Sequence, residues 1–222
     1  MRPRFSVFIA TSLDCYIARV NGAIDWLSIV HPVDEAHGYQ AFMASVDAIV
    51  LGRGTYDTVL ASDQWPYTGK RVIVMTRRPA EARHGEEFFS GSVVKLAARL
   101  SDAKRVYVDG GKVVSQFFAA GLIDNVTISV IPIILGDGIR LFSGGEGEHR
   151  LELEGHRSWP SGMVQMRYRI RRKRRYKRLN DEGHKGARTE AKSADVLVHK
   201  TNPFRGTGRR KVNVVFWAAN TF

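Results

Sequence analysis

Two short stretches carry the residue types from which a phosphate site is built. Leu51-Gly52-Arg53-Gly54-Thr55-Tyr56 and Val108-Asp109-Gly110-Gly111-Lys112 each place glycine where an apolar run ends and a helical pattern begins. A helix N-terminus presents N–H groups without intrahelical partners and the positive end of the helix dipole. Glycine lets an anionic oxygen come close to those groups. Two such junctions, each following a buried strand, point to a ligand with several phosphates. At each junction taken alone, the alternative is a tight turn with nothing bound.

Neither junction spells G-x-G-x-x-G, so the ordinary dinucleotide fingerprint is absent. After the apolar run Val72–Met75 come Thr76-Arg77-Arg78, with no acidic residue. A carboxylate there would favour a free ribose hydroxyl, as in NAD, whereas arginines favour an extra phosphate, as in NADP. A solvated loop is the alternative reading of Arg77 and Arg78. The seven histidines are scattered without metal-ligand spacing. Trp26 and Trp65 suit a pocket for a flat ring, and equally the packing of a core or its rim.

The elements that must position these residues follow from periodicity. Strands are expected at 4–10, 47–52, 70–76 and 104–109, with a shorter one at 92–95 and a long one at 125–135 containing Pro132. Helices are expected at 32–46, from Arg53 onward, and over 112–121, the last ending at a C′ glycine, Gly121. Segments 150–159 and 162–170 alternate polar and apolar residues around Pro160-Ser161-Gly162 and read as a hairpin. Strands alternating with helices, then a closing hairpin, give an α/β domain with a mixed sheet.

The chain has 222 residues and a formal net charge of +12. That charge is localised. Residues 171–222 hold 15 of the 34 Lys and Arg but only 4 of the 22 Asp and Glu, so residues 1–170 are nearly neutral. Low hydrophobicity and high charge predict disorder for most of 171–222. Such an arm can bind nucleic acid; a solvated extension unrelated to the domain's chemistry is the favoured reading. The apolar run near 130–135 is too short to cross a bilayer. No signal peptide is read at the start, and the single Cys15 cannot form an intramolecular disulfide, so a cytoplasmic location is expected.

Taken in order, "SLDCYIA", "NGAIDWL", "VDAIVLGRGTYD", "VIVMTRRP", "VYVDGG", "GLIDNVTISVIPIILGDGIRLF" and "SGMVQMRY" resemble the dihydrofolate-reductase-like family. The resemblance is closest to the reductase domain of bacterial riboflavin-biosynthesis deaminase-reductases and its stand-alone relatives, and covers about residues 4–170. It implies a mixed, mostly parallel sheet flanked by helices and closed by a C-terminal antiparallel hairpin. It also implies NADPH bound across the strand ends and a homodimer. On it, Gly52, Arg53 and Thr55 touch the cofactor phosphates. Thr76 and Arg77 lie near the adenosine 2′-phosphate, and Gly110 and Gly111 face the pyrophosphate. Ala10 contacts the nicotinamide amide through its backbone. Asp14 and residues 17–26 form the loop over nicotinamide and substrate. Asp14 and Glu35 are the candidate catalytic carboxylates, Asp34 and Glu35 having as alternative a favourable charge at a helix start.

Three departures stand out. Cys15 replaces a glycine usual in the family, and is strained if that position needs positive φ. Gly54 replaces an Arg or His. The first-helix carboxylate of true dihydrofolate reductases falls on or beside Ala36. The reading is therefore an NADPH-dependent reductase of a small heterocycle or ribosylaminopyrimidine-like substrate. Its alternatives are a non-catalytic NADPH sensor or scaffold, and a nucleic-acid-binding protein acting through the tail.

Overall fold

The computed structural model describes residues 2–30, 37–62, 64–78 and 80–171. Its frame is an eight-stranded sheet with the order β5-β4-β3-β6-β1-β7-β10-β9. The strands are β1 (Arg4–Thr11), β3 (Ala48–Gly52), β4 (Arg71–Met75), β5 (Glu87–Phe89), β6 (Arg105–Asp109), β7 (Ile123–Val130), β9 (Arg150–Ser158) and β10 (Val164–Arg171). From β5 through β7 all neighbours run parallel; β10 and β9 then close the sheet antiparallel. Two short strands, β2 (Tyr16–Ala18) and β8 (Ile139–Arg140), form a separate antiparallel pair.

The central parallel strands β3, β4 and β6 are apolar in their middles because both of their faces are covered. Val50, Ile73, Val106 and Val108 pack with Leu96, Val113 and Phe117 on one face. These last three come from α3 (Val93–Arg99) and α4 (Gly111–Ala119). Ile49, Leu51, Val72, Val74 and Tyr107 pack with Tyr56 and Val59 of α2 (Arg53–Leu60) on the other. The alternation along β3 thus assigns successive residues to opposite cores. The mixed sheet and its C-terminal hairpin match the expectation from sequence.

Three local expectations need correction. Residues 92–95 are not a strand. Ser92 caps α3 by accepting a hydrogen bond from the Lys95 N–H, and Val93, Leu96 and Leu100 are the buried stripe. The long strand expected over 125–135 ends at Val130, before Pro132, which cannot donate to a ladder. The first helix, α1, is Tyr39–Ala44, preceded by Gly38 at φ 79°. The start expected at 32, and with it Asp34, Glu35 and Ala36, lies outside the described residues. So do residues 172–222, nearly all of the basic extension.

Among the described residues no helix is long and apolar enough to cross a membrane, and no group of three or more His, Cys, Asp or Glu could hold a metal ion.

Candidate functional site

The sheet's middle strands β3, β6 and β1 lie side by side, and their C-terminal ends open into one cleft of about 1060 Å³. This is where open α/β sheets bind ligands. Both glycine junctions are here. β3 ends at Gly52, the residue before α2; β6 ends at Asp109, and Gly110 precedes α4. Adjacency of β3 and β6 brings the two helix starts to the same wall. Gly52, Arg53 and Thr55 line the cleft on one side, Gly110 and Gly111 beside them, Thr76 and Arg77 at the end of β4, and Ala10 at the end of β1. All eight residues expected from the sequence at a cofactor site therefore share one cavity.

The two central glycines are needed for backbone reasons that are visible. Gly110 has φ 89° and ψ 126°, a region closed to other residues. A β-carbon on Gly111 would stand 2.7 Å from the Arg140 carbonyl oxygen, so its absence lets β8 approach the start of α4. At the start of α4 the Val113 and Val114 N–H groups both donate to the Gly110 carbonyl oxygen, at 3.0 and 2.9 Å, so those of Gly111 and Lys112 are the ones without an intrahelical partner.

The charge at this wall is positive. Arg53, Arg77 and Lys112 line the cleft. Arg53 is partly committed: its Nε donates to Asp57 at 2.7 Å and its Nη1 to the Arg78 carbonyl at 3.1 Å. Arg77 and Lys112 have no ion pair among the described residues. Thr76 accepts from the Arg78 N–H at 3.1 Å, a local turn that shapes the loop carrying Arg77. A wall of cations and free N–H groups fits a polyphosphate ligand.

The floor is different. Phe8, Ala10, Ile24 and Leu27 are apolar, and Tyr39, Tyr67 and Tyr107 surround one carboxylate, Asp109. Burial pushes the Asp109 carboxyl up to about 6, against the opposing effect of the Gly110 N–H, which donates to Oδ1 at 2.8 Å. Burial raises Tyr39, Tyr67 and Tyr107 as well, with Asp109 adding to it. The sequence reading passed over Asp109. The signal was available: a carboxylate at the C-terminal end of a central parallel strand, next to glycines.

Asp14 is not part of the cleft. Its carboxylate accepts from Ser12 Oγ at 2.6 Å and from the N–H groups of Leu135 and Gly136 at 3.1 and 2.7 Å. These bonds, the Ser12 hydroxyl foremost, lower its pKa to about 2. It is an ionised staple between two loops, outside the cleft that the eight cofactor-site candidates line. Glu35, the other candidate, lies outside the described residues. Of the loop expected over the site, Ile17, Val20, Asn21, Gly22 and Ile24 do line the cleft. Trp26 instead packs with Leu27, Val30 and Trp159 in a separate core cluster, and Trp65 stacks on His84 at 4.5 Å. Cys15 does adopt positive φ, at 68°, so the strain expected for a non-glycine residue is present.

Comparison with known proteins agrees with this architecture. The model of the RibD C-terminal domain family matches residues 3–165. The uncharacterized protein YwjB of Bacillus subtilis (strain 168) is 34% identical over 173 residues, which cover 76% of this chain and 98% of YwjB. A proposed riboflavin biosynthesis protein from Shewanella sp. PV-4 has a solved structure that superposes with a TM-score of 0.71 at 35% identity, covering 78% of this chain and 100% of that one. Dihydrofolate reductase from Enterococcus faecalis, solved with NADP(H), superposes with a TM-score of 0.55 at 14% identity, over 75% of this chain and 96% of that one. At that identity the likeness is one of fold. With its eight-stranded mixed sheet, its glycine-started helices and a matched segment that spans most of the described residues, the chain belongs to the RibD C-terminal domain family, a reductase domain of dihydrofolate-reductase-like fold.

Proposed function

We propose that the cleft binds NADPH and that the protein is a reductase of a flat heterocycle or a ribosylaminopyrimidine-like compound. The observation that carries this reading is the convergence, in one cavity, of the starts of α2 and α4 with Arg53, Arg77 and Lys112 at one end and an apolar floor at the other. The cationic wall suits the phosphates, and the loop at Thr76-Arg77 suits the extra phosphate that separates NADPH from NADH. The apolar end suits the nicotinamide and a flat ring beside it, in a site that sheds water.

NADPH, when bound, supplies a hydride to an electron-poor carbon of a C=N or C=O group. The heteroatom then needs a proton. Asp109 holds one below about pH 6 and is the carboxyl that the cleft presents for this purpose. The Gly110 N–H, donating to Oδ1 at 2.8 Å, holds the carboxyl in place. Its burial favours the neutral form and extends the pH range over which the carboxyl holds a proton.

Titration of the full chain with NADPH and NADH, followed by fluorescence, tests the cofactor assignment. NADPH is expected to bind at least tenfold more tightly, and Arg77→Ala to narrow that margin. Equal affinities would remove Arg77 from the 2′-phosphate. Absence of NADPH binding altogether would overturn the reading.

A further inference from the structure

We propose that Ser129 is the specificity-determining residue at the inner end of the cleft, donating a hydrogen bond to a ring carbonyl of the substrate, and that Gln165 is the positioning residue that compels it to do so. The inference deepens the reductase reading and rests on it.

Ser129 lies on β7, opposite Ala10 of β1 and opposite Gln165 of β10. Residues paired in this way point to the same side of the sheet. Ser129 has no exposed surface, yet it lines the cleft. Its hydroxyl is a polar group in an otherwise apolar stretch formed by Phe8, Ala10, Ile24 and Leu27.

The direction of its hydrogen bond follows from chemistry. Gln165 Nε2 lies 3.1 Å from the His37 carbonyl oxygen and 2.9 Å from Ser129 Oγ. A carbonyl can only accept, so the amide nitrogen, not its oxygen, must face His37. That same nitrogen carries two hydrogens and gives the second to Ser129. Ser129 Oγ therefore accepts, and its own proton is left over. No acceptor takes it among the described residues. A buried hydroxyl proton without a partner is uncommon, because leaving it unpaired is costly. The cleft supplies the partner when a ligand enters: an oxygen or ring nitrogen with a lone pair. A ring amino group, a donor, would meet a donor there and be rejected.

This proton has two conceivable acceptors of the same chemistry, a carbonyl on the substrate ring and the carboxamide of the nicotinamide. The experiment separates them. The full chain, with NADP+ present so that no turnover occurs, is titrated with lumazine, which carries two ring carbonyls, and with 2,4-diaminopteridine, which carries amino groups at those positions. The parent protein is expected to prefer lumazine by at least tenfold. Ser129→Ala should abolish the preference, and Ser129→Thr, which keeps a hydroxyl, should retain it. Gln165→Glu should abolish it as well, because a carboxylate accepts and turns the Ser129 proton toward itself. A Gln165 that served only to brace the sheet would leave the preference intact in any variant that folds.

NADP+ affinity, measured on every variant, is expected to change less than threefold. A preference unchanged in Ser129→Ala, or failure of the parent to bind either pteridine, overturns the proposal. A loss of NADP+ affinity in Ser129→Ala with the preference intact also overturns it, by placing the proton on the nicotinamide. If NADP+ does not bind the parent at all, the cofactor reading fails separately, and the pteridine comparison made without cofactor still decides the role of Ser129.

Discussion

Thr55 stands over Gly110: the threonine Oγ1 lies 2.5 Å from where a β-carbon on the glycine would be. The turn that starts α2 is thereby locked onto the turn that starts α4. The lock requires residue 110 to lack a side chain and to hold φ 89°. Gly110→Ala is expected to destabilise the fold by roughly 2–4 kcal/mol, from backbone strain and steric overlap together. Thr55→Ala in the same chain should relieve the overlap and leave the strain, recovering about half. Urea unfolding of the single and double variants measures both. An additive double variant would show that the two turns do not touch.

The side of Gly111 that a substituent would occupy belongs to β8 and not to the ligand. The structure puts the Arg140 carbonyl 2.7 Å, and Ile17 Cδ1 3.3 Å, from a β-carbon at that position. Gly111→Ala alone should therefore cost about 1–3 kcal/mol, by forcing backbone against backbone. Gly111→Asp should add repulsion of the carbonyl oxygen and lose stability as well as NADPH affinity. Melting curves beside calorimetry of NADPH binding test this. An Ala variant that melts with the parent would refute the packing argument.

Much of the site was legible because strand ends and helix starts leave local marks. Apolar runs stopping at Gly52 and Gly110 gave two of the cleft's walls, and Thr76-Arg77 after an apolar strand gave a third. What was not legible shares a cause: it concerns residues whose surroundings come from distant chain. Asp14 stands in a loop where a catalytic carboxylate was plausible, but its partners are the N–H groups of Leu135 and Gly136, some 120 residues away. Asp109 gains its raised pKa from burial, with Tyr39 and Tyr67 brought beside it from other parts of the chain, which spacing along β6 cannot reveal. A strand is expected at 92–95 because Val93 and Val94 favour one locally; the Ser92 cap and the burial of Leu96 outweigh that preference.

Cys15 holds φ 68° without the freedom of glycine. Cys15→Gly removes strain of about 1–2 kcal/mol in the folded chain but adds freedom to the unfolded one, worth about 0.5–1 kcal/mol. A net gain on the order of 0.5 kcal/mol is expected, visible as a small rise in Tm. Cys15→Ala should give no such gain, because alanine has the same β-carbon. Equal melting of all three chains would mean that the loop relaxes around residue 15.

Asp109 makes the strongest pH prediction, because its folded pKa of about 6 lies above the ordinary value of 3.8. A raised carboxyl is favourable to folding while protonated, and that contribution is lost as pH rises through about 6. Between about pH 4 and about pH 7 the parent should therefore lose stability through this group, and Asp109→Asn, which never ionises, should not. On the proposed function the same proton is the one that the reduction takes up. Turnover of a reducible substrate should fall as pH rises through about 6, roughly tenfold for each pH unit beyond it. Asp109→Asn should be slower by on the order of 100-fold or more and flat across that window, with NADPH affinity nearly unchanged. Asp14→Ala is the control, since Asp14 is ionised down to about pH 2 and ties Leu135 and Gly136 in place. It should lower Tm without moving the pH profile. A profile that keeps its shape in Asp109→Asn would remove Asp109 from the chemistry, and one that moves in Asp14→Ala would return the loop carboxylate to consideration.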